Sequence, residues 1–185
     1  MITLQNKQNE YIFTKVLDNE DMNMKIVTRI DTIGDKMNHT TNVKADTTLP
    51  DIIQYPEFQE LSGIINEFCR DCSNKLQYEH PNHVSRANSP VWYDAYIKSL
   101  QVSVMWGTRY ESGEVTIPHN HWPNTWAFCY YIDPPENCSG LIFPDSDYEL
   151  KIENGMLVLF SGHMIHNTLA KEFRGNRYCV SGVIR

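Results

Sequence analysis

The sequence contains no apolar run that approaches the roughly 20 residues of a membrane-spanning helix, so we expect no membrane association. Its first residues, 1–6, lack the basic and apolar regions of a signal peptide. Basic residues are outnumbered, because 16 Lys and Arg stand against 23 Asp and Glu, a formal net charge of −7. Since phosphate neutralisation needs clustered Lys and Arg, we expect no nucleic-acid partner.

Cysteine is too scarce and too irregularly spaced for a disulfide framework. The five cysteines are an odd number, which predicts free thiols in a reducing cytoplasm. Cys69 and Cys72, followed by His80 and His83, could form a zinc site, but the gap is short and an apolar helix face explains the cysteines better. No phosphate-binding glycine loop and no Gly-x-Ser-x-Gly nucleophile elbow occurs, which excludes two common enzyme classes.

The N-terminal half is polar and irregular apart from two amphipathic stretches. Apolar residues recur at helical spacing over 19–36 and over 56–75, which predicts two helices. The segment 42–47 is compatible with a short strand or a loop beside a ligand, and 79–90 has the composition of a loop.

From residue 91 onwards β-branched and aromatic runs alternate with turn signals. The candidate strands are 97–109, 116–118, 127–132, 140–143, 149–151, 155–160, 166–169 and 177–183. Eight closely spaced short strands predict a sandwich or barrel, and helices followed by strands predict an α+β fold with helices on one face of a sheet. We therefore expect a single domain, 1–185, with a helical or irregular part (1–90) and a β core (91–185).

Four of the seven histidines form two close pairs. His119 and His121 stand in a His-x-His arrangement, which at a strand end puts both imidazoles on one face. After a further strand and a Ser-Gly turn, His166 can return a third imidazole to the same pole of a barrel. Three imidazoles leave open positions on a six-coordinate metal ion, as O₂ chemistry at non-haem iron requires. His163 is spaced to point elsewhere, and surface histidines on loops are the alternative for the whole set.

Arg177 follows a Gly-Asn turn and enters an apolar strand. Burying an arginine is costly unless it meets an anion, and its planar fork suits a carboxylate. Ser181 lies four residues further, so its hydroxyl points to the same face of the strand. The two predict a pocket for the carboxylate end of a small molecule, with an edge-strand arginine in a surface ion pair as the alternative.

The order of these residues carries a resemblance to a known family. Gly113, five residues, His119-x-His121, about 45 residues to His166 and eleven more to Arg177 resemble the Fe(II)/2-oxoglutarate-dependent oxygenases. That resemblance implies a double-stranded β-helix, a jelly-roll or cupin-like barrel, with N-terminal helices packed on one face. It also implies that the three histidines bind Fe(II) and are the catalytic residues, with 2-oxoglutarate and O₂ as cosubstrates.

The resemblance covers roughly 90–185, with a fainter similarity at 42–48. The stretches 106–113, 119–123 and 130–132 are similar to small oxygenases of cyanobacterial phages and some bacteria, which implies a host cytoplasm if the gene is phage-encoded. Four positions are similar to the prolyl-hydroxylase branch, where such residues hold 2-oxoglutarate: Tyr110, Tyr131, Arg177 and Ser181.

One position departs from the family pattern. The usual metal triad is His-x-Asp/Glu…His, and His121 occupies the carboxylate position. His121 is then the third ligand, which we favour, or the position does not ligate, or Asp145 or Asp147 completes the shell. The cupin superfamily shares the glycine-to-histidine spacing, but its downstream Glu is absent between residues 122 and 128.

The resemblance implies an oxygenase that releases succinate and CO₂ while it hydroxylates a substrate. We expect a protein or peptide side chain as substrate, because of the likeness to prolyl hydroxylases and an aromatic rim at Trp92, Trp106, Trp122 and Trp126. Two alternatives stay open. One is a three-histidine cupin-type dioxygenase that acts on a small molecule without 2-oxoglutarate, and the other is a non-catalytic jelly-roll binding module. The sequence predicts neither the exact substrate nor the oligomeric state.

Overall fold

The computed structural model describes residues 3–5, 11–33, 42–79 and 90–185. Within these ranges the chain forms three α-helices, α1 (Glu20–Ile33), α2 (Pro56–Glu79) and α3 (Pro90–Ser99). Short 3-10 turns lie at Ile52–Gln54 and Pro144–Ser146. The strands are β1 (Thr3–Gln5), β2 (Tyr11–Val16), β3 (Val43–Lys44), β4 (Asp46–Thr47), β5 (Val102–Tyr110), β6 (Val115–Thr116), β7 (Trp126–Ile132), β8 (Leu141–Phe143), β9 (Tyr148–Leu150), β10 (Met156–Ser161) and β11 (Arg177–Ile184).

One antiparallel sheet of seven strands organises the described part of the chain. Its order is β1-β2-β10-β7-β11-β5-β4, so strands far apart in sequence lie side by side. Two further strand pairs, β3 with β6 and β8 with β9, form small antiparallel sheets. The fold is therefore a mixture of helix and antiparallel sheet, as the sequence predicts.

Both faces of the large sheet are buried, and β7 shows how they differ. Phe128 and Tyr130 point to the face that packs against the helices. Cys129 and Tyr131 alternate with them and point to the opposite face, in a second core cluster that includes Leu141 of β8. The second face is the one that lines the candidate site.

The helices cover the first face with the apolar stripes that predict them. In α1, Met22, Ile26 and Ile30 are buried at helical spacing. In α2, Cys69 and Cys72 are fully buried in the same core, and burial raises the pKa of each thiol to about 12. The core explanation of these cysteines is confirmed, while His80 and His83 lie outside the described residues. None of the described helices combines the length and apolar character that crossing a membrane requires.

Three segments differ from the predicted elements. Tyr11–Val16, expected to be irregular, is strand β2 and pairs with β10 inside the large sheet. Pro90–Ser99 is helix α3, where the sequence predicted a loop and the start of a strand; proline suits a first helical turn. The predicted strand 166–169 is replaced by single bridges from His166 to His119 and from Asn167 to Ile142. The other predicted strands are present with small shifts at their ends, and 42–47 forms β3 and β4.

Candidate active site

Two loops bring three histidines together on the second face of the sheet. His119 follows β6, and His166 follows the turn after β10. Their main chains form a reciprocal pair of hydrogen bonds: the His119 N–H donates to the His166 carbonyl (3.2 Å), and the His166 N–H donates to the His119 carbonyl (2.9 Å). The His121 N–H donates to the Gly162 carbonyl at 2.7 Å, which fixes the second histidine on the same turn. The backbone thus holds all three residues in place.

The three side chains have the geometry of a metal site. Their nearest ligand atoms all lie within 4.8 Å of one another. The Nδ1 atoms of His119 and His166 lie 2.9 Å from the Ile117 carbonyl and 3.1 Å from the Met164 carbonyl. Because a carbonyl only accepts hydrogen bonds, each Nδ1 carries the proton, which leaves Nε2 free to bind metal.

Burial also keeps these imidazoles neutral. Desolvation, with a smaller contribution from the neighbouring histidines, lowers the pKa of His166 to about 3 and that of His121 to about 4. Desolvation likewise lowers the pKa of His119. The neutral ring is the form that ligates a metal, so the site is ready for one at neutral pH.

The other sequence-predicted metal candidates lie elsewhere. His163 is exposed to solvent, and so are Asp145 and Asp147 on the turn before β9. Across the described ranges, the group with metal-binding geometry consists of the three histidines and contains no carboxylate. This geometry favours His121 as the third ligand over a shell completed by either aspartate.

Arg177 is the first residue of β11, and its side chain is buried on the same face of the sheet as the histidines. Its side chain is 3% exposed and β11 lies between β7 and β5, so the alternative of an edge-strand arginine is wrong. The guanidinium lies over the ring of Tyr110 at 4.8 Å and that of Tyr131 at 5.3 Å. Its Nε has no hydrogen-bond partner within the described part of the chain. A buried guanidinium with an unused donor is suited to a carboxylate ligand.

The histidines and Arg177 line one cavity, which has about 400 Å³ of space between its walls when its opening to solvent is included. All seven site residues predicted from the sequence line it: Tyr110, His119, His121, Tyr131, His166, Arg177 and Ser181. Burial raises the pKa of both tyrosine hydroxyls, so they stay protonated and able to donate. The Tyr110 hydroxyl is paired with Thr116 Oγ1 at 2.6 Å.

The sequence did not single out three further residues of this cavity. Cys129 lies two positions before Tyr131 on β7, and Cys179 lies two positions after Arg177 on β11. Thr116 lies on β6, three residues before His119. The alternation of side chains along a strand was the available signal for the two cysteines.

A second, more open groove meets this cavity at the histidines. It has about 900 Å³ of space between its walls, open solvent included, and lies between β5 and the segment around β3 and β4. The two spaces share four residues, Val43, Trp106, His119 and His121. The remaining groove residues are uncharged: Asn42, Thr47, Thr48, Pro50, Val104 and Asn120. A metal held by the histidines would therefore face an inner cavity with Arg177 and an outer groove without charged walls.

The expected aromatic rim is only partly present. Trp106 lines both spaces, with its ring 5.9 Å from that of His121. Trp122 is 74% exposed beside the histidines. Trp126, in contrast, is buried on the helix-facing side of the sheet against Phe13, so its assignment to the rim is wrong. The Trp92 side chain lies outside the described part of the structure.

Comparison with known proteins gives structural matches only. No family model and no curated protein matches the chain. The viral collagen prolyl hydroxylase from Paramecium Bursaria Chlorella virus-1, solved as a 2-oxoglutarate complex, is 13% identical with a TM-score of 0.60, covering 94% of this chain and 96% of that one. A Pseudomonas putida prolyl-4-hydroxylase is 12% identical with a TM-score of 0.64 and coverage of 94% and 91%. The epimerase SnoN from nogalamycin biosynthesis, non-haem and α-ketoglutarate-dependent, is 12% identical with a TM-score of 0.61 and coverage of 95% and 77%.

The chain thus shares its fold with non-haem 2-oxoglutarate-dependent oxygenases. At this level of identity the likeness shows the fold, and the functional argument depends on the site. The three-histidine group and these neighbours are consistent with Fe(II), 2-oxoglutarate and O₂ as cofactors.

Proposed function

We propose that the protein is an Fe(II)- and 2-oxoglutarate-dependent oxygenase with a double-stranded β-helix core. The observation that carries the proposal is one cavity lined by three neutral imidazoles and by a buried guanidinium that has no carboxylate partner among the described residues. In a three-histidine dioxygenase that uses no 2-oxoglutarate, Arg177 would have no assigned ligand. A non-catalytic binding module explains neither the available Nε2 atoms of His119 and His166 nor the Arg177 Nε, which has no hydrogen-bond partner in the described chain.

Each residue has a task that follows from its chemistry. His119 and His166 would hold Fe(II) through Nε2 and His121 through a ring nitrogen, and the bound iron with 2-oxoglutarate and O₂ would supply the oxidising power. Arg177 would pair with the far carboxylate of 2-oxoglutarate, and its position over two phenol rings fixes the direction of its fork. Tyr131 and Ser181 provide hydroxyls in the same cavity.

The substitution of histidine for the family carboxylate changes the charge at the metal. Three neutral ligands leave the ion's double positive charge uncompensated by the protein, whereas the usual triad supplies one negative charge. The carboxylate of 2-oxoglutarate that would bind the metal therefore balances more of the metal's positive charge here. We expect metal binding in the absence of 2-oxoglutarate to be weaker than binding in its presence.

The outer groove is the proposed place for the substrate, which we take to be a protein or peptide side chain that becomes hydroxylated with release of succinate and CO₂. Uncharged walls suit an uncharged portion of the substrate. Three exposed apolar side chains lie next to or near groove residues in the chain: Leu49 beside Pro50, Ile117 two residues before His119, and Trp122 directly after His121. Exposed apolar side chains around a groove are typical of a macromolecular contact surface.

Metal and cosubstrate binding test the proposal directly. Metal-free protein supplied with Fe(II) and 2-oxoglutarate without O₂ should develop a weak visible charge-transfer band, and admission of O₂ should produce succinate. His166→Ala should abolish both signals. His163→Ala is the matched control, because that exposed histidine lies three residues away and should change neither.

The outcomes separate the candidate functions. Metal binding without the 2-oxoglutarate band and without succinate would favour the three-histidine dioxygenase. Failure of the wild-type protein to bind any divalent transition metal would reject both enzymes and leave the binding module.

A further inference from the structure

Two thiols of the inner cavity have no task in the proposed reaction. Cys129 on β7 and Cys179 on β11 are both buried and both line the space that also contains Arg177. The other three cysteines of the chain lie elsewhere: Cys69 and Cys72 in the helix-facing core, and Cys138 in the loop before β8. The cavity therefore holds a nucleophilic pair beside its buried positive charge.

The two sulfurs are held around one hydroxyl. Ser181 Oγ lies 3.5 Å from Cys129 Sγ and 3.3 Å from Cys179 Sγ. In the strand register, Cys129 stands opposite Ser181 and Cys179 stands opposite Tyr131, so the cysteines are diagonal neighbours. Diagonal positions are about 7–8 Å apart, beyond the usual disulfide range of about 4.4–6.8 Å between Cα atoms. The strand pair thus brings both thiols to one hydroxyl, and both cysteines are free.

The surroundings favour a thiolate at Cys129. Hydrogen bonds from Cys179, and then from Ser181 and Tyr131, lower the pKa of the Cys129 thiol, and the charge of Arg177 adds to the effect. The charge interactions of Arg177 within the described chain are with phenols and thiols: Tyr131, Tyr110, Cys179 and Cys138. Cys129 lines the same cavity as this guanidinium. Thiolates, rather than thiols, react with peroxides.

We propose that Cys129 is a peroxide-reactive site whose oxidation and 2-oxoglutarate binding exclude each other. The Cys129 sulfur attacks one oxygen of hydrogen peroxide, the O–O bond breaks, and the leaving hydroxide takes up the proton that the thiol gave up, which forms water. Sulfur loses two electrons and becomes a sulfenic acid, while the peroxide is reduced to water. Because the diagonal register opposes a disulfide with Cys179, the product remains a sulfenic acid, hydrogen-bonded within the cavity, and an added thiol reductant restores it.

The exclusion follows from the shared space. The new oxygen lies in the cavity where the far carboxylate of 2-oxoglutarate would meet Arg177, and this part of the inference rests on the proposed function. In the other direction, a bound carboxylate takes over the guanidinium and blocks the approach of peroxide to the sulfur. The oxidation itself needs no metal, so it can be measured in metal-free protein.

Peroxide titration of the metal-free, full-length protein tests the proposal. After exposure to hydrogen peroxide, trapping with dimedone and peptide mass mapping should place the sulfenic acid on Cys129. Cys129→Ala should remove the label, and Cys138→Ala, the matched control outside the cavity, should leave it. Thermal unfolding of each variant checks that it folds. A label on Cys138 in place of Cys129, or a mass loss that shows a Cys129–Cys179 disulfide, would overturn the proposal.

Protection by 2-oxoglutarate tests the exclusion. At about 100 times its dissociation constant, 2-oxoglutarate should slow labelling about 100-fold, because only free protein reacts. Unchanged labelling at saturation would overturn the exclusion. Succinate production distinguishes the two proposals: succinate without Cys129 labelling rejects the oxidation site alone, whereas labelling that 2-oxoglutarate suppresses, in a protein that makes no succinate, supports the site and counts against the oxygenase.

Discussion

Replacing Arg177 with methionine should have opposite effects on ligand binding and on stability. The side chain is 3% exposed and its Nε is unpaired within the described chain. Desolvation of a buried charge costs several kcal/mol, and each of the two ring contacts returns about 1–2 kcal/mol. Methionine removes the charge and keeps apolar contact with Tyr110 and Tyr131. We expect the unliganded protein to gain about 1–2 kcal/mol, which raises the thermal midpoint by roughly 2–8 °C for a chain of this size.

The same substitution should weaken 2-oxoglutarate binding strongly. Removing one partner of a buried charge pair costs about 3–4 kcal/mol here, within the usual range for such pairs. At about 1.4 kcal/mol per tenfold change, the dissociation constant should rise by a factor of about 100 to 1,000.

Two measurements on one set of proteins check this prediction. Circular dichroism gives the thermal midpoint without ligand, and calorimetric titration of Mn(II)-loaded protein with 2-oxoglutarate, without O₂, gives the affinity. Arg174→Met is the matched control, since Arg174 is exposed on the loop before β11 and should change neither value by much. If Arg177→Met melts at a lower temperature and binds 2-oxoglutarate as tightly as the wild type, Arg177 is a structural residue and the carboxylate site lies elsewhere.

Two further substitutions and a change of pH should test which interactions stabilise the site. Gly162→Ala should lower the thermal midpoint and Zn(II) affinity together, because an added Cβ would lie 2.1 Å from the Asn124 carbonyl oxygen, whereas Gly63→Ala, with open space around it, should be neutral or stabilising. Acid should destabilise the metal-free protein as the pH falls from about 6.5, because the unfolded chain protonates its histidines there while burial lowers the pKa of His119, that of His121 to about 4 and that of His166 to about 3 in the folded protein. His166→Asn should reduce this loss of stability, and an unchanged pH profile would contradict the contribution of His166. Phe160→Ala should cost about 3–5 kcal/mol in urea unfolding, since this fully buried ring lies 4.7 Å from that of His166; a loss below 1 kcal/mol would contradict the packing.

Residues linked by local spacing could be predicted from the sequence. His119 and His121 share a face because side-chain direction repeats every two residues in extended backbone, and Ser181 shares a face with Arg177 for the same reason. The buried face of α2 around Cys69 and Cys72 could be predicted in the same way, since the spacing of its apolar residues is set within one helix.

Features that depend on strand pairing could not be predicted from one sequence. The meeting of Cys129 and Cys179 depends on the register between β7 and β11, which long-range packing sets. The role of Tyr11–Val16 depends on its partner β10, far along the chain. Alternation shows that Trp126 and Cys129 face opposite ways, but both faces of this sheet are buried, so polarity alone does not reveal which face holds the site.

The reciprocal hydrogen bonds between the main chains of His119 and His166 hold these two residues together without help from a metal ion. Because the fold and not the metal brings these rings together, an ion can leave and another can enter without unfolding. Divalent ions bind nitrogen ligands in an order that places copper and nickel above iron. The ion found on purified protein will therefore record the metals present during preparation, and the working metal must be established by reloading stripped protein.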